Sequence, residues 1–252
     1  MHIDLTGRTV LVTGASRGIG RSIAEGLAGA GATVAAHFNH NRAATEALVE
    51  KLGHEAGAFQ ADLADPPSCE RLFEEVVGTY GRIDVLVNNA GIAINMPAGM
   101  PTDAWSEAWN TTMAVNLRAV ELLSRRAIDH FQQHDGGRII NIASRAAFRG
   151  DSPEYMSYAA SKGGVVALTR SIARGYGKAG VCAFVVAPGF VRTEMAQEVI
   201  DEHGEDRVTG DLALDRLTEP ADVTPLVVLL ASGLADHAPG GTFDVNAGSY
   251  VH

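Results

Sequence analysis

The 252-residue chain holds only two cysteines, Cys69 and Cys182, far apart along the sequence. A disulfide framework is excluded as its source of stability, and a reducing compartment, the cytoplasm, is the expected location. Cys182 falls in the apolar run Val181 to Ala187 and reads as a buried small hydrophobe. Aromatic residues are scarce, at 6%. No apolar run reaches the roughly 18 residues a membrane helix needs, so no spanning segment is expected. The chain does not open with a charged lead, an apolar stretch and a cleavage site, so no signal peptide is expected either. Basic runs are also missing, and the formal net charge is −10. Such a chain repels phosphate backbones, which argues against nucleic acid as a partner. No Pro/Gly/Ser linker, internal repeat or low-complexity tract divides the sequence.

What is present is an ordinary apolar fraction, 46%, with 28 glycines. A chain of this length buries a sizeable core without a metal or disulfide. Short apolar runs alternate with longer helical patterns. Strands are expected at Arg8–Thr13, Thr33–Phe38, Glu55–Gln60, Ile83–Asn88, Arg138–Ala143, Val181–Ala187 and Gly241–Val245. Helices are expected at Ile19–Gly29, Ala43–Leu52, Pro66–Thr79, Thr102–Gln133, Tyr155–Lys178 and Pro220–Ala231. Strands without polar alternation are buried on both faces, and strand–helix alternation implies a parallel sheet covered on both sides. The expected fold is α/β: a single doubly wound Rossmann-type domain over residues 1–252, with a parallel sheet of about seven strands. The stretch Arg192 to Leu217 has the least pattern, a partial helix at Glu194–Glu202 followed by acidic, Gly-containing residues. A segment of that kind reads as a substrate loop, around residues 190–217.

The first strand runs into Thr13-Gly14-Ala15-Ser16-Arg17-Gly18-Ile19-Gly20, and a helix follows. Glycines let such a turn close tightly and bring backbone N–H groups to a pyrophosphate at a helix N-terminus. The spacing is Gly-x3-Gly-x-Gly rather than the more general Gly-x-Gly-x-x-Gly. An ordinary Gly-rich turn is the alternative, and the position after the first strand of an α/β pattern favours the nucleotide site.

This turn and the motifs after it resemble the short-chain dehydrogenase/reductase family, in the family's order and across essentially the whole chain, including members that resemble 3-oxoacyl-carrier-protein reductases. Gly14, Gly18 and Gly20 match its cofactor turn, with Ser16, Arg17 and Ile19 between them. Asp62-Leu63 resembles the pair that contacts adenine, and Asn88-Asn89-Ala90-Gly91 the motif ending the fourth strand. Asn116 matches a helix asparagine, and Ser144, Tyr158 and Lys162 the catalytic trio. Pro188-Gly189, with Val191 and Thr193, matches the segment that holds the nicotinamide amide. The resemblance implies an NAD(P)-dependent oxidoreductase moving a hydride between a nicotinamide and a carbonyl or secondary alcohol, with Tyr158 as general acid/base.

Tyr158 and Lys162 are four residues apart in a helical pattern, hence on one helix face. A phenol of pKa about 10 must drop by about 3 pH units, worth about 4 kcal/mol, to act as a base at neutral pH. One ammonium about 4 Å away, at an effective dielectric of about 20, supplies interaction on that scale. Ser144 ends the fifth strand, at the sheet edge where open α/β folds bind ligands, and its hydroxyl can hold the substrate oxygen. Its distance to Tyr158 is one residue longer than is common in the family, which lengthens the loop Arg145 to Glu154. Tyr155 lacks a lysine four residues on and is rejected as the acid. By resemblance Asn116 binds a water that links Lys162 to solvent; a helix-bending asparagine is the alternative. The alternative for Asn89 is a residue that mainly holds the fourth-strand turn.

NADP is the expected preference, with NAD also accepted in the alternative reading. An NAD enzyme usually ends its second strand with an acid that binds the ribose hydroxyl. Here Phe38 occupies that position, followed by Asn39, and between Ala15 and Arg42 the only acid is Glu25. Arg17, Asn39 and Arg42 offer donors to a 2′-phosphate. Substrate candidates flank the motifs in loops: Ile94, Met96, Phe148, Arg149, Tyr155, Phe190 and Met195. They suggest an apolar pocket, with Arg149 as a candidate anchor for an anionic group. His37 and His40, and His130 and His134, lack the carboxylate or cysteine partners of a metal site and are read as surface histidines; no metal is expected. A non-catalytic nucleotide-binding protein is disfavoured because Tyr158 and Lys162 are both present. An epimerase or dehydratase is disfavoured because those carry a larger C-terminal part. The helical stretches 102–133 and 155–178 carry more apolar surface than one sheet face needs, and the family pairs them between subunits. A homotetramer is expected, although Val245-Asn246-Ala247-Gly248 departs from the family's Val-Asp-Gly-Gly near the other contact.

Overall fold

The structure, a computed structural model, describes residues 3–53, 55–194, 196–197 and 209–251. In the first strand, β1 (Thr9–Val12), Val10 and Val12 pack into one apolar cluster and Leu11 into another. The same alternation recurs in β4 (Val85–Asn88), where Val85 and Val87 oppose Leu86, and in β5 (Gly137–Ile142), where Ile140 and Ile142 oppose Ile139. Successive side chains leave a strand on opposite faces, so runs that are apolar throughout demand cover on both sides.

Helices supply that cover. On one face, α1 (Gly18–Gly29) inserts Ile23 and Leu27, α2 (Arg42–Leu52) Leu48, and the last helix Val223, Val227 and Leu230. On the other, α3 (Pro66–Tyr80) inserts Leu72, Phe73 and Val76, and a later helix Leu123, Ala127 and Phe131. With β2 (Thr33–Phe38), β3 (Gly57–Gln60), β6 (Val181–Pro188) and β7 (Thr242–Val245), the strands form one sheet in the order β3-β2-β1-β4-β5-β6-β7. Every neighbouring pair is parallel. The chain leaves β1 toward β2 on one side and reaches β4 on the other. A crevice therefore opens beyond the carboxyl ends of β1 and β4, the usual ligand position in such sheets.

The helical stretch expected over 102–133 is not uniform. It divides into α4 (Thr102–Met113), a π-helical segment Ala114–Arg118, and α5 (Ala119–Phe131). The interruption is centred on Asn116, whose fully buried side chain bonds backbone outside its own helix. The expected loop 145–154 contains a short helix, α6 (Ala146–Arg149), and a 3-10 turn, Pro153–Tyr155. After α7 (Met156–Tyr176) and β6, the final helix is α8 (Pro220–Ser232). The partial helix expected at 194–202 lies largely outside the described residues.

The histidine and cysteine expectations are corrected. His37 and His130 are buried, not on the surface. Each ring accepts a backbone N–H: His37 Nδ1 from Gly14 at 3.1 Å, His130 Nε2 from Ile83 at 3.1 Å. Cys69 is the fully buried thiol, and Cys182 is only half-buried. Among the described residues, no helix is long and apolar enough to cross a membrane.

Candidate active site

The glycine turn closes because side chains are missing from it. A Cβ on Gly20 would lie 2.1 Å from the Gly14 carbonyl oxygen and 2.4 Å from Asn89 Nδ2. Gly14 (φ +66°) packs against Ala90, and Gly18 (φ +53°) against the Thr193 side chain; both backbones favour glycine. Asn89 fastens the end of β4 to this turn. Its Nδ2 donates to the carbonyls of Thr13 (2.9 Å) and Gly14 (3.2 Å). The backbone N–H groups of Asn89 and Ala90 donate to Thr13 Oγ1 at 2.9 and 3.0 Å, which gives Thr13 a part that sequence reading missed. No side chain caps the start of α1, and its first turn holds no acid. Uncapped N–H groups, glycines and the helix dipole suit a pyrophosphate, so these residues fit a dinucleotide.

Beyond the crevice, α7 carries Tyr158 and Lys162 one turn apart. Ser144, two residues past β5, lies beside Tyr158 and favours its ionised form, while its Oγ accepts from Ala146 N at 3.1 Å. Lys162 is buried and donates from Nζ to the Ile142 carbonyl at 2.8 Å; Nζ lies 5.7 Å from the Tyr158 ring centre. Burial pulls the ammonium down to about 8. Burial also pushes the phenol of Tyr158 above its ordinary value, against the opposing pull of Ser144, and Asp151 adds to the rise. Lys162 was expected to pull Tyr158 down, but in the free protein desolvation wins. Asn116 lies beneath. Its Oδ1 accepts from Ile92 N at 2.8 Å, and its Nδ2 donates to Ile92 O at 2.8 Å and to Ser161 Oγ at 3.1 Å. These bonds hold Asn116 at the π-helical segment, close to the floor where Lys162 lies. A Cβ on Gly91 would press on Lys162 Nζ (3.3 Å) and Asn116 Oδ1 (3.4 Å), so glycine keeps that floor open.

The end of β2 is where the sequence puts the cofactor ribose. Phe38 is buried, with the Arg42 guanidinium 5.2 Å above its ring centre, so its side chain packs inward. Arg42 also donates to Gln60 (2.8 Å), and Gln60 to the Asn39 carbonyl (2.9 Å), leaving Asn39 half-buried at the corner. Arg17 stands exposed at the lip and pairs with Glu194 at 2.5 Å. Asp62 is exposed and accepts from Ala64 N at 2.9 Å, while Leu63 is buried behind it. Ser16 and Ile19 are half-buried within the turn. Pro188 ends β6, and Gly189 packs so closely on Asn246 that a Cβ would lie 2.7 Å from it. Val191 is buried and bridges Thr218, and Thr193 faces Gly18 across the crevice.

Among the substrate candidates, Met96 is buried and held by Glu154 and Ser157. Phe148 stacks on Tyr250 with ring centres 6.3 Å apart, and Ile94, Tyr155 and Phe190 are half-buried. Arg149 binds Asp211 at 2.5 Å. Met195 lies outside the described residues. Sequence reading passed over Arg145; the available signal was a charge directly after Ser144 at the end of an apolar strand.

Comparison with known proteins agrees with this geometry. The family model for short chain dehydrogenase matches residues 8–204. The 3-oxoacyl-[acyl-carrier-protein] reductase FabG of Staphylococcus aureus is 37% identical over 248 residues, 97% of this chain and 98% of that protein. The FabG of Vibrio harveyi is 36% identical, covering 99% of this chain and 100% of its own. Among solved structures, a Beutenbergia cavernae protein assigned as an NAD(P)-dependent gluconate 5-dehydrogenase, with bound NADP, superposes with a TM-score of 0.91 at 36% identity and 99% coverage of both chains. The 3-ketoacyl-(acyl-carrier-protein) reductase of Brucella melitensis, complexed with NADH, gives a TM-score of 0.90 at 27% identity, covering 98% of this chain and 100% of that one. The chain belongs to the short-chain dehydrogenase family and is an NAD(P)-dependent oxidoreductase.

Proposed function

We propose that the chain interconverts a carbonyl and a secondary alcohol, with Tyr158 as general acid/base, Ser144 holding the substrate oxygen and Lys162 supplying positive charge. The observation that carries this reading is Tyr158 and Ser144 side by side, with the buried Lys162 ammonium one helical turn from Tyr158 and against Gly91. A substrate oxygen that takes its place at these two hydroxyls receives a hydrogen bond from Ser144 and the proton of Tyr158. The Lys162 charge favours the phenolate that remains, since an ammonium in a low-dielectric site acts strongly on a neighbouring anion. In the reverse direction the phenolate takes the alcohol proton. A protonated Tyr158 at neutral pH is the form that reduction requires. When bound, a nicotinamide dinucleotide supplies or accepts the hydride.

Gly14, Ser16, Arg17, Gly18, Ile19 and Gly20 would hold its pyrophosphate side, Asp62 and Leu63 its adenine. Asn89, Ala90, Gly91, Pro188, Gly189, Val191 and Thr193 would hold the nicotinamide side, with Asn116 binding a water that links Lys162 to solvent. NADP is the preferred form in this reading. Arg17 and Asn39 stand at the ribose corner, and solved relatives carry NADP or NADPH, although one carries NADH. The substrate is a small molecule, the chain acts as one domain in a homotetramer, and the cytoplasm is its setting.

A panel of ketones, oxoacyl thioesters and sugars, read by nicotinamide absorbance, tests the reading. Consumption of NADPH with a higher kcat/KM than NADH is expected. A preference for NADH would overturn the cofactor choice and leave hydride transfer standing.

A further inference from the structure

Arg145 follows Ser144 directly, so the two Cα atoms are about 3.8 Å apart. Its side chain is only 16% exposed. Nη1 is hidden from solvent and has no hydrogen-bond partner among the described residues. A guanidinium is the last group expected to be left in this condition, because a buried charge is costly unless paired. The nearest opposite charge is Asp211 Oδ2 at 3.5 Å, but Arg149 already holds that same oxygen at 2.5 Å. Asp211 itself is 55% exposed. Burial, then Arg149, disfavour the charged form of Arg145; Asp211 and Asp151 act the other way and do not offset them. Two cations thus share one contacting carboxylate oxygen, in a chain whose net charge is −10.

We infer that Arg145 receives a carboxylate of the substrate, so that the chain acts on small oxo and hydroxy carboxylic acids. This rests on the hydride-transfer reading of the site. Arg149 and Asp211 keep their own pair and flank the anion, and Arg145 brings a planar fork that matches a carboxylate. The position limits the distance between the two ends of the substrate. Arg145 is rooted next to Ser144, so an anion at its guanidinium lies no farther from the Ser144 backbone than an arginine side chain and one contact can reach. A carrier-bound thioester does not meet this requirement: its nearest phosphate sits at the far end of a long neutral arm. A carboxylate a few bonds from the carbonyl does.

The test uses oxo acids paired with their methyl esters, the number of carbons between carboxylate and carbonyl being varied, with NADPH as reductant. For the best pair the wild-type enzyme should favour the acid in kcat/KM by about 10²-fold, the scale of a desolvated charge pair. Arg145→Gln should lower that acid-to-ester ratio by a similar factor, and Arg145→Lys should restore part of it, since lysine keeps the charge without the fork. An ester used as well as its acid by the wild-type enzyme would overturn the inference, whatever the variants do. So would an unchanged ratio in Arg145→Gln, or a neutral acyl thioester preferred to every acid. Failure to consume NADPH with any acid, ester, thioester or neutral ketone would instead remove the hydride-transfer reading beneath it.

Discussion

His37 shows how one buried side chain can hold a binding surface together. Its Nδ1 accepts from Gly14 N–H, so Nε2 carries the hydrogen and donates to the Ala61 carbonyl at 3.1 Å. One ring therefore ties the glycine turn to the end of β3, just before Asp62. Burial holds it neutral, with its pKa pulled from 6.5 to about 4, against the Ala61 hydrogen bond. The unfolded chain binds the proton first as pH falls, so this contribution is complete above pH about 6.5 and is lost on the way down to about 4. The difference corresponds to about 3 kcal/mol. Wild type should lose more thermal stability than His37→Gln between pH 7 and 4.5 in matched melts. Parallel curves for the two proteins would contradict this account of the ring. Sequence could not show it, because His37-Phe38-Asn39-His40 looks like a polar strand end and its burial comes from residues more than twenty positions away. The Tyr158–Lys162 pair was legible because helical spacing alone puts the two residues on one face. Its electrostatics were not, because desolvation depends on the whole surrounding fold.

At the level of elements, the glycine turn was readable in detail. The close approach of Gly20 to the Gly14 carbonyl explains why nothing larger is present. The π segment at Ala114–Arg118 was hidden, since an inserted residue leaves the apolar pattern of the long helix nearly intact. The partner that Asn116 bends toward, Ile92, lies 24 residues away. The Arg17–Glu194 pair was also invisible, and it bears on cofactor choice. Both side chains are exposed, 59% and 69%, and such a surface pair is worth about 0–1 kcal/mol. A 2′-phosphate can displace it. Arg17→Ala should raise KM for NADPH at least about tenfold and leave KM for NADH nearly unchanged, the size of a charge-assisted contact. Glu194→Gln should lower KM for NADPH a few-fold, by releasing Arg17. Steady-state kinetics showing equal effects on both cofactors would remove Arg17 from phosphate recognition.

For the whole molecule, the reversal of strand order between β1 and β4 gathers the glycine turn, the Asn89 clasp and the Tyr158–Lys162 helix at one edge of the sheet. That arrangement followed from the alternation of apolar runs and helices, and the strand count was legible in advance. Assembly was not, because a single chain shows which surfaces are apolar but not what covers them. Met156 and Tyr176, at the two ends of α7, are 54% and 40% exposed, and Val251 near the chain end is 81% exposed. These are the regions expected to pair in a tetramer. Light scattering at micromolar concentration should give a mass near four times the 26.4 kDa chain, and a monomer would contradict it. The central claim is that Tyr158 moves the substrate proton in an NAD(P)-dependent oxidoreductase. The most direct measurement is kcat of Tyr158→Phe beside its cofactor dissociation constant. The account predicts a fall of about 10²–10⁴-fold in kcat with cofactor affinity near wild type. A variant that keeps more than about a third of wild-type turnover, far outside that range, would contradict it.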